Sequence, residues 1–261
     1  MTSQKQSLTC KLLANTPINS NVFRLDFAWS GAVPKAGQFF MLKPKRSGVF
    51  LGRPIAVASW DKSGIVRFII EMVGKGTQEL SFMNPGEMAE LIGPLGKAWT
   101  DFLPQMPIEK PIALVGGGIG IAPLTALFYE RPGHIFDVYS GFKTGFASQK
   151  EKDALLGIAF REAYNVIIAT EDGTEEQKGF IHSFLEPKKY SAVCACGPKP
   201  MMKAVADLCR NAGVLCFASM DQRMACGVGA CLGCTVKTTG GNKRCCADGP
   251  VFNAEELNFD E

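Results

Sequence analysis

No apolar run in this chain is long enough to cross a bilayer, which takes about 20 residues, and no block of like charge stands anywhere in it. The first absence argues against a membrane span. The second argues against nucleic acid or an anionic membrane as partner, since 28 basic and 25 acidic residues leave a formal net charge of only +3. The start, MTSQKQSLTCKLLANTP, has neither the apolar core of a signal peptide nor the Arg-rich face of a transit peptide, so the expected location is the cytoplasm. Internal repeats and low-complexity tracts are missing as well. Histidine is scarce: His134 and His182 are the only two, and both read as ordinary structural positions.

Cysteine, by contrast, is plentiful, with ten in 261 residues. In a cytoplasmic chain that number argues against a disulfide framework and for metal or redox use. The length suggests two domains and a small third module. The hydrophobic share of 46% is ordinary for a protein with sizeable cores.

The first hundred residues read as β-rich. NVFRLDFAW (21–29) alternates, and GQFFMLKP (37–44) and GIVRFIIEMVG (64–74) are apolar runs bounded by turn residues. Short strands of this kind predict a small antiparallel barrel. GTQELSFM (76–83) predicts one helix among them, with Thr77 as its N-cap. The prolines of LPQMPIEKP (103–111) read as a linker. Beyond it, strands at 112–118, 134–142, 165–170, 191–197 and 214–220 alternate with helices at 122–130, 148–160, 179–185 and 199–213, the last stopped by Gly213. That alternation predicts a parallel sheet with helices on both faces, whose ligands bind at the carboxyl ends of the strands. The expected architecture is multidomain β and α/β. It comprises an antiparallel barrel over 1–103, a parallel-sheet α/β domain over 104–218 and a small C-terminal module over 219–261. The last segment holds five of the ten cysteines and is too short for a normal core, so something other than burial is expected to stabilise it.

In MACGVGACLGCTVK (224–237), Cys226, Cys231 and Cys234 are spaced C-x4-C-x2-C. Closely spaced thiolates need a tightly curved backbone, which Gly227, Gly229 and Gly233 permit. Amides in such a loop can also donate to cluster sulfides. Zinc sites favour C-x2-C pairs at both ends, whereas this spacing is the plant-type [2Fe–2S] pattern, completed by a distant cysteine. The fourth ligand then comes from KRCCADGPVF (243–252). The stretch between reads as a hairpin turning at Gly240 and Gly241. Adjacent strand residues face opposite sides, so only one of Cys245 and Cys246 is expected to ligate. Cys10, Cys194, Cys209 and Cys216 read as core residues.

Three further stretches suit nucleotides. LGRPIAVAS (51–59) sets Arg53 beside Pro54, and in VGKGTQEL (73–80) Gly74 and Gly76 open a helix whose amides suit a pyrophosphate, with Arg53 as countercharge. LVGGGIGIAPL (114–124) is a strand-to-helix glycine turn, though not a strict GxGxxG. CACGPKPMM (194–202) is a second such turn. EDGT (171–174) is acidic and lacks arginine, which favours NAD(H) over NADP(H).

Together these residues resemble the ferredoxin reductase-like flavoproteins. In the family's order stand an Arg-Pro motif at Arg53 and Pro54, a Gly-Thr turn at Gly76 and Thr77, a Gly-rich turn at 116–120 and a Cys-Gly-Pro turn at 196–198. The tail, CGVGACLGC followed by CADGPVF, narrows the resemblance to the electron-transfer subunits of NAD-dependent, type B dihydroorotate dehydrogenases, over essentially the whole chain. The resemblance implies FAD held by Arg53, Pro54, Ile55, Ala56, Ile70, Glu71, Met72, Gly76 and Thr77. It implies NAD on Gly116, Gly117, Gly118, Gly120, Cys196, Gly197 and Pro198. It implies a [2Fe–2S] cluster on Cys226, Cys231, Cys234 and Cys246, because the family's fourth ligand precedes Ala/Lys-Asp-Gly-Pro. A partner subunit that oxidises dihydroorotate on FMN is implied too, with two copies of each chain and a place in pyrimidine biosynthesis. Electrons would leave that FMN singly, cross the cluster, collect on FAD and pass as hydride to NAD+, with no catalytic acid or base in this chain. One departure stands out. The family's motif usually continues with Tyr or Ile and then Ser, whereas Ile55 and Ala56 offer neither a stacking ring nor a hydroxyl for flavin N5. Two rival readings are a reductase for an oxygenase or ferredoxin, and a zinc-stabilised nucleotide-binding regulatory module without redox function.

Overall fold

The structure, a computed structural model, describes residues 5–46, 48–103, 110–131 and 133–259. Most of the proline stretch read as a linker, with the boundary expected after 103, lies outside the described residues.

Six strands form the first unit: β1 (Gln6–Pro17), β2 (Val22–Ala28), β3 (Phe39–Pro44), β4 (Arg53–Trp60), β5 (Ile65–Glu71) and β6 (Met88–Leu95). They close into an antiparallel barrel in the order β1-β2-β5-β4-β3-β6, which leaves no open edge to template association. The period-2 pattern is cleanest in β5, where Val66, Phe68 and Ile70 are buried and their neighbours are not. Inside, Trp29 meets Phe40 edge to face at 4.8 Å, and Phe40 meets Phe68 at 5.5 Å. Helix α1 (Lys75–Ser81) starts one turn earlier than expected. Gly74, not Thr77, is the N-cap. The Thr77 hydroxyl reaches back from inside the helix and accepts the amides of Val73 and Gly74 at 3.0 and 3.2 Å.

The second unit runs β7 (Ile112–Gly117), α2 (Ala122–Glu130), β8 (Phe136–Phe142), α3 (Gln149–Glu162), β9 (Asn165–Thr170), β10 (Gln177–Lys178), β11 (Ala192–Cys196), α4 (Lys199–Ala212) and β12 (Leu215–Ser219). The stretch expected as a short helix at 179–185 is a 3-10 turn, Ile181–Phe184. Helix α4 ends at Gly213 in the left-handed conformation, as its sequence suggests. The strand order is β10-β9-β8-β7-β11-β12, parallel throughout. The chain steps outward from β7 through β8 and β9, then returns to β7's other side with β11. The order therefore reverses between β7 and β11, and a crevice opens beyond their carboxyl ends.

The tail contributes β13 (Thr235–Thr238), β14 (Gly241–Arg244), the single turn α5 (Cys245–Asp248) and β15 (Val251–Asn253). β15 joins the large sheet antiparallel to β12. Burial does stabilise this segment, contrary to expectation. Cys234, Val236, Cys245, Cys246, Phe252, Ala254 and Leu257 are buried in one core with Met220 and Met224 and with Phe39, Met41 and Leu95 of the barrel. The tail lacks a core of its own and borrows one from both neighbours.

Trp99 fastens the barrel to the sheet. It is fully buried, its amide donates to Ala36 O at 2.9 Å and its indole N–H donates to Pro123 O, at the start of α2, at 3.3 Å. Trp99→Ala is expected to cost about 3–5 kcal/mol through the cavity it leaves, read as a lowered urea midpoint. A loss below about 1 kcal/mol would deny Trp99 that role.

Candidate active site and cysteine centre

A cleft of about 1590 Å³ lies between the barrel and the crevice of the sheet. Pockets for one small ligand usually measure roughly 300–1,000 Å³, so this one has room for more than a single cofactor. From the barrel side Arg53, Pro54, Ile55, Ala56, Ile70, Glu71 and Thr77 line it. From the sheet side come Gly117, Gly118 and Gly120 with Cys196, Gly197 and Pro198. Of the residues expected to hold nucleotides, three stand behind this wall. Gly76 is buried beneath the Arg53 guanidinium, which lies directly over it. Met72 is turned to α1, where its sulfur meets the Ser81 hydroxyl at 3.4 Å. Gly116 is buried at the end of β7, against Ile121.

The two turns at the reversal point touch through backbone. A Cβ on Gly120 would sit 2.5 Å from the Cys196 carbonyl oxygen and 3.0 Å from Gly197 Cα, so only glycine permits this approach. Cys196 pairs in register with Gly116 on one side and Ser219 on the other. Burial, reinforced by Asp221, pushes the Cys196 thiol up to about 12, while a hydrogen bond with Ser219 opposes the rise. Ser219 thus brings a hydroxyl to a cleft where Ala56 offers none.

Within the acidic stretch 171–174, Glu171 lines the cleft. Asp172 is engaged inside its own loop, its carboxylate accepting the Thr174 amide and hydroxyl at 3.1 and 2.6 Å. Hydrogen bonds from Thr174 and Thr144 hold it at about 2.

His182, read from the sequence as an ordinary structural position, stands at the cleft. It lines the cleft beside Phe180, the two rings stacked at 5.7 Å and 14°, and its buried Nδ1 has no partner among the described residues. Asp221, Gln222, Arg223 and Met224 line the cleft as well. Apart from His182, none of these was singled out from the sequence. Each follows a strand of the sheet, and the rule that ligands gather at strand carboxyl ends is the signal that could have found them.

Met224 connects this cleft to the cysteines, since it lines the wall and precedes Cys226 by two residues. The loop then turns against the barrel. Gly227 has φ +68, and a Cβ there would lie 2.6 Å from Met41 Cγ and 3.2 Å from Leu95 Cδ1. Between Cys231 and Gly233, Leu232 is held at φ 60 while 63% exposed, a strained conformation that the loop imposes.

The four sulfurs fall into two pairs, Cys226 with Cys231 and Cys234 with Cys246. Among the described residues, no three His, Cys, Asp or Glu side chains converge tightly enough for a single metal ion. Burial pushes the Cys226 thiol up, but the amides of Val228, Cys231 and Ala230 and the Cys231 thiol outweigh it and bring it down to about 6. The Val228 amide donates to its sulfur at 3.4 Å. Burial, then the neighbouring Cys234, pushes Cys246 up to about 12, and the Cys246 amide donates to the Cys234 sulfur at 3.4 Å. The Cys245 thiol points elsewhere and donates to Met220 O at 3.1 Å. Cys245 and Cys246 open a helical turn, so the strand alternation expected of them does not apply. Cys10, Cys194, Cys209 and Cys216 are buried, as expected of core residues.

Residues 221–258 match the family model of the iron-sulfur cluster binding domain of dihydroorotate dehydrogenase B. The electron transfer subunit of dihydroorotate dehydrogenase B (NAD(+)) from Clostridium perfringens is 41% identical over 227 residues, covering 86% of this chain and 87% of that protein. The same subunit from Caldanaerobacter subterraneus is 35% identical over 258 residues, covering 97% and 98%. Among solved structures, a chain of NADH-dependent reduced ferredoxin-NADP oxidoreductase superposes with a TM-score of 0.80 at 26% identity, over 100% of this chain and 92% of that one. With its barrel, its reversal-point crevice and its paired cysteines, the chain belongs to the family of electron transfer subunits of dihydroorotate dehydrogenase B (NAD(+)).

Proposed function

We propose that this chain takes electrons from a dihydroorotate-oxidising, FMN-bearing partner subunit and delivers them to NAD+, as a step in pyrimidine biosynthesis. The observation that carries this reading is continuity. One cleft is walled by the Arg-Pro strand, by both turns of the sheet and by the segment that leads directly into the cysteine loop.

The residues fit the groups this role requires. The cleft exceeds the volume one dinucleotide needs, and Arg53 lies over the Gly-Thr turn where a pyrophosphate would want a countercharge. Two pairs of thiols suit two irons better than one zinc, and the amides aimed at Cys226 suit a thiolate ligand. A flavin bound there supplies exchange between hydride and single electrons, and an iron–sulfur cluster supplies single-electron passage.

In this assignment Arg53, Pro54, Ile55, Ala56, Ile70, Glu71 and Thr77 seat FAD from the barrel, with Gly76 and Met72 supporting them from behind. The turns at 116–120 and 196–198 seat NAD+, and Glu171 supplies the acceptor for a ribose hydroxyl that would repel a 2′-phosphate. Cys226, Cys231, Cys234 and Cys246 hold the [2Fe–2S] cluster. The functional division then follows 1–103 for flavin, 104–218 for nucleotide and 219–261 for the cluster. Two copies of each subunit in the cytoplasm complete the proposal. No described helix is long and apolar enough to cross a membrane.

The test is copurification with the native partner. Flavin bands with a cluster shoulder, stoichiometric FAD, iron and sulfide, and NAD+-dependent orotate formation needing both chains are expected. A colourless chain with stoichiometric zinc would overturn the reading. A coloured chain that reduces a ferredoxin, but forms no orotate with its partner, would transfer it to the ferredoxin reductases that share its fold.

A further inference from the structure

We infer that Arg244, fixed by Asp248, sets the reduction potential of the group held by the four thiolates. This assignment rests on the cluster reading above.

Arg244 ends β14 and is the N-cap residue of α5, the turn that carries Cys245 and Cys246. Its amide donates to Asp248 Oδ2 at 2.7 Å. Its guanidinium grips the same carboxylate twice, Nε to Oδ2 at 3.0 Å and Nη2 to Oδ1 at 3.2 Å, the two-point geometry that gives arginine its directional strength. The remaining nitrogen, Nη1, donates to the Gly229 carbonyl at 3.2 Å. Gly229 lies midway between Cys226 and Cys231. One side chain therefore ties the loop bearing three cysteines to the turn bearing the fourth.

The same geometry orients charge. The Nε and Nη2 edge faces Asp248 while Nη1 faces the cysteine loop, so the cation lies between the carboxylate and the loop. Lys243, the preceding residue, is occupied by Glu256.

Reduction adds one negative charge to a site that already gathers four thiolates. A fixed cation beside them favours the reduced form and raises the potential, and its loss lowers it. Asp248 opposes that effect, so its neutralisation must act in the other direction. The Arg244 and Asp248 side chains are 41% and 33% exposed, and water screens part of both effects.

The experiment is a dye-mediated redox titration of the copurified complex, following the paramagnetic signal of the reduced cluster, with iron content measured alongside. Arg244→Gln should lower the reduced-to-oxidised ratio at fixed potential by roughly tenfold, about 59 mV for a one-electron couple. Arg244→Lys, which keeps the charge and loses the fork, should recover most of that shift. Asp248→Asn keeps an acceptor for the Arg244 amide and should move the potential upward. Opposite shifts for Arg244→Gln and Asp248→Asn support the inference. Unchanged potentials, or shifts of the same sign with Arg244→Lys behaving like Arg244→Gln, overturn it and leave Arg244 a structural tether. If Arg244→Gln loses its iron, the sign of the Asp248→Asn shift decides alone. A wild-type complex without iron or signal sinks the cluster reading itself, and this inference with it.

Discussion

Alanine in place of Cys246 is expected to strip iron and labile sulfide from the chain, and alanine in place of Cys245 to leave both at full stoichiometry. The two thiols are neighbours in sequence and both are buried. Burial raises both, so acidity does not choose between them. Direction does. Successive residues of a helical turn point about 100° apart, and α5 turns Cys246 to Cys234 and Cys245 to the Met220 carbonyl. Without Cys246, Cys234 has no second sulfur with which to hold an iron. Without Cys245, the fold loses a small buried group and a weak hydrogen bond, a cost of about 1–2 kcal/mol visible in thermal melts but not in metal content. Iron retained in Cys246→Ala, or lost in Cys245→Ala, would refute the ligand choice.

Much of this architecture is legible in the residues. The barrel strands announce themselves as short apolar runs between turn residues, most plainly in β5, where Val66, Phe68 and Ile70 alternate with half-exposed neighbours. The parallel sheet is legible from apolar runs that alternate with helical patterns, and the glycine turns from their position between a strand and a helix. What escapes has physical reasons. β15 is three residues long and shows no period, and its antiparallel partner β12 is set by tertiary packing alone. The strand-based argument expects one ligand of Cys245 and Cys246, but the two stand in a helical turn, where strand alternation does not hold. Tail burial is invisible because its apolar residues are scattered among cysteines, and their partners Phe39, Met41 and Leu95 lie in a different unit. Phe180 and His182 belong to no motif, and only the folded sheet carries them to the cleft.

Gly120→Ala is expected to impair NAD+ use while leaving flavin and iron in place. The added methyl would meet the Cys196 carbonyl oxygen at 2.5 Å and Gly197 Cα at 3.0 Å, and both are backbone. A flexible side chain could swing away from such a methyl, but these atoms can move only if the two turns part. They meet at the reversal point of the sheet, between β7 and β11, where a nucleotide on this architecture is seated. Separation of the turns by even part of an ångström misplaces the nucleotide relative to the barrel wall across the cleft. The Michaelis constant for NAD+ should rise roughly tenfold or more, equivalent to about 1.4 kcal/mol or more of lost binding. Bleaching of the flavin by NADH should slow, while bleaching by dithionite, which needs no nucleotide seat, should keep its wild-type amplitude. The barrel residues Arg53 and Thr77 are untouched by the substitution, so FAD content separates a local lesion from general unfolding. An unchanged Michaelis constant with a stable fold would mean that the contact between these turns serves packing alone, and that NAD+ is seated elsewhere in the cleft.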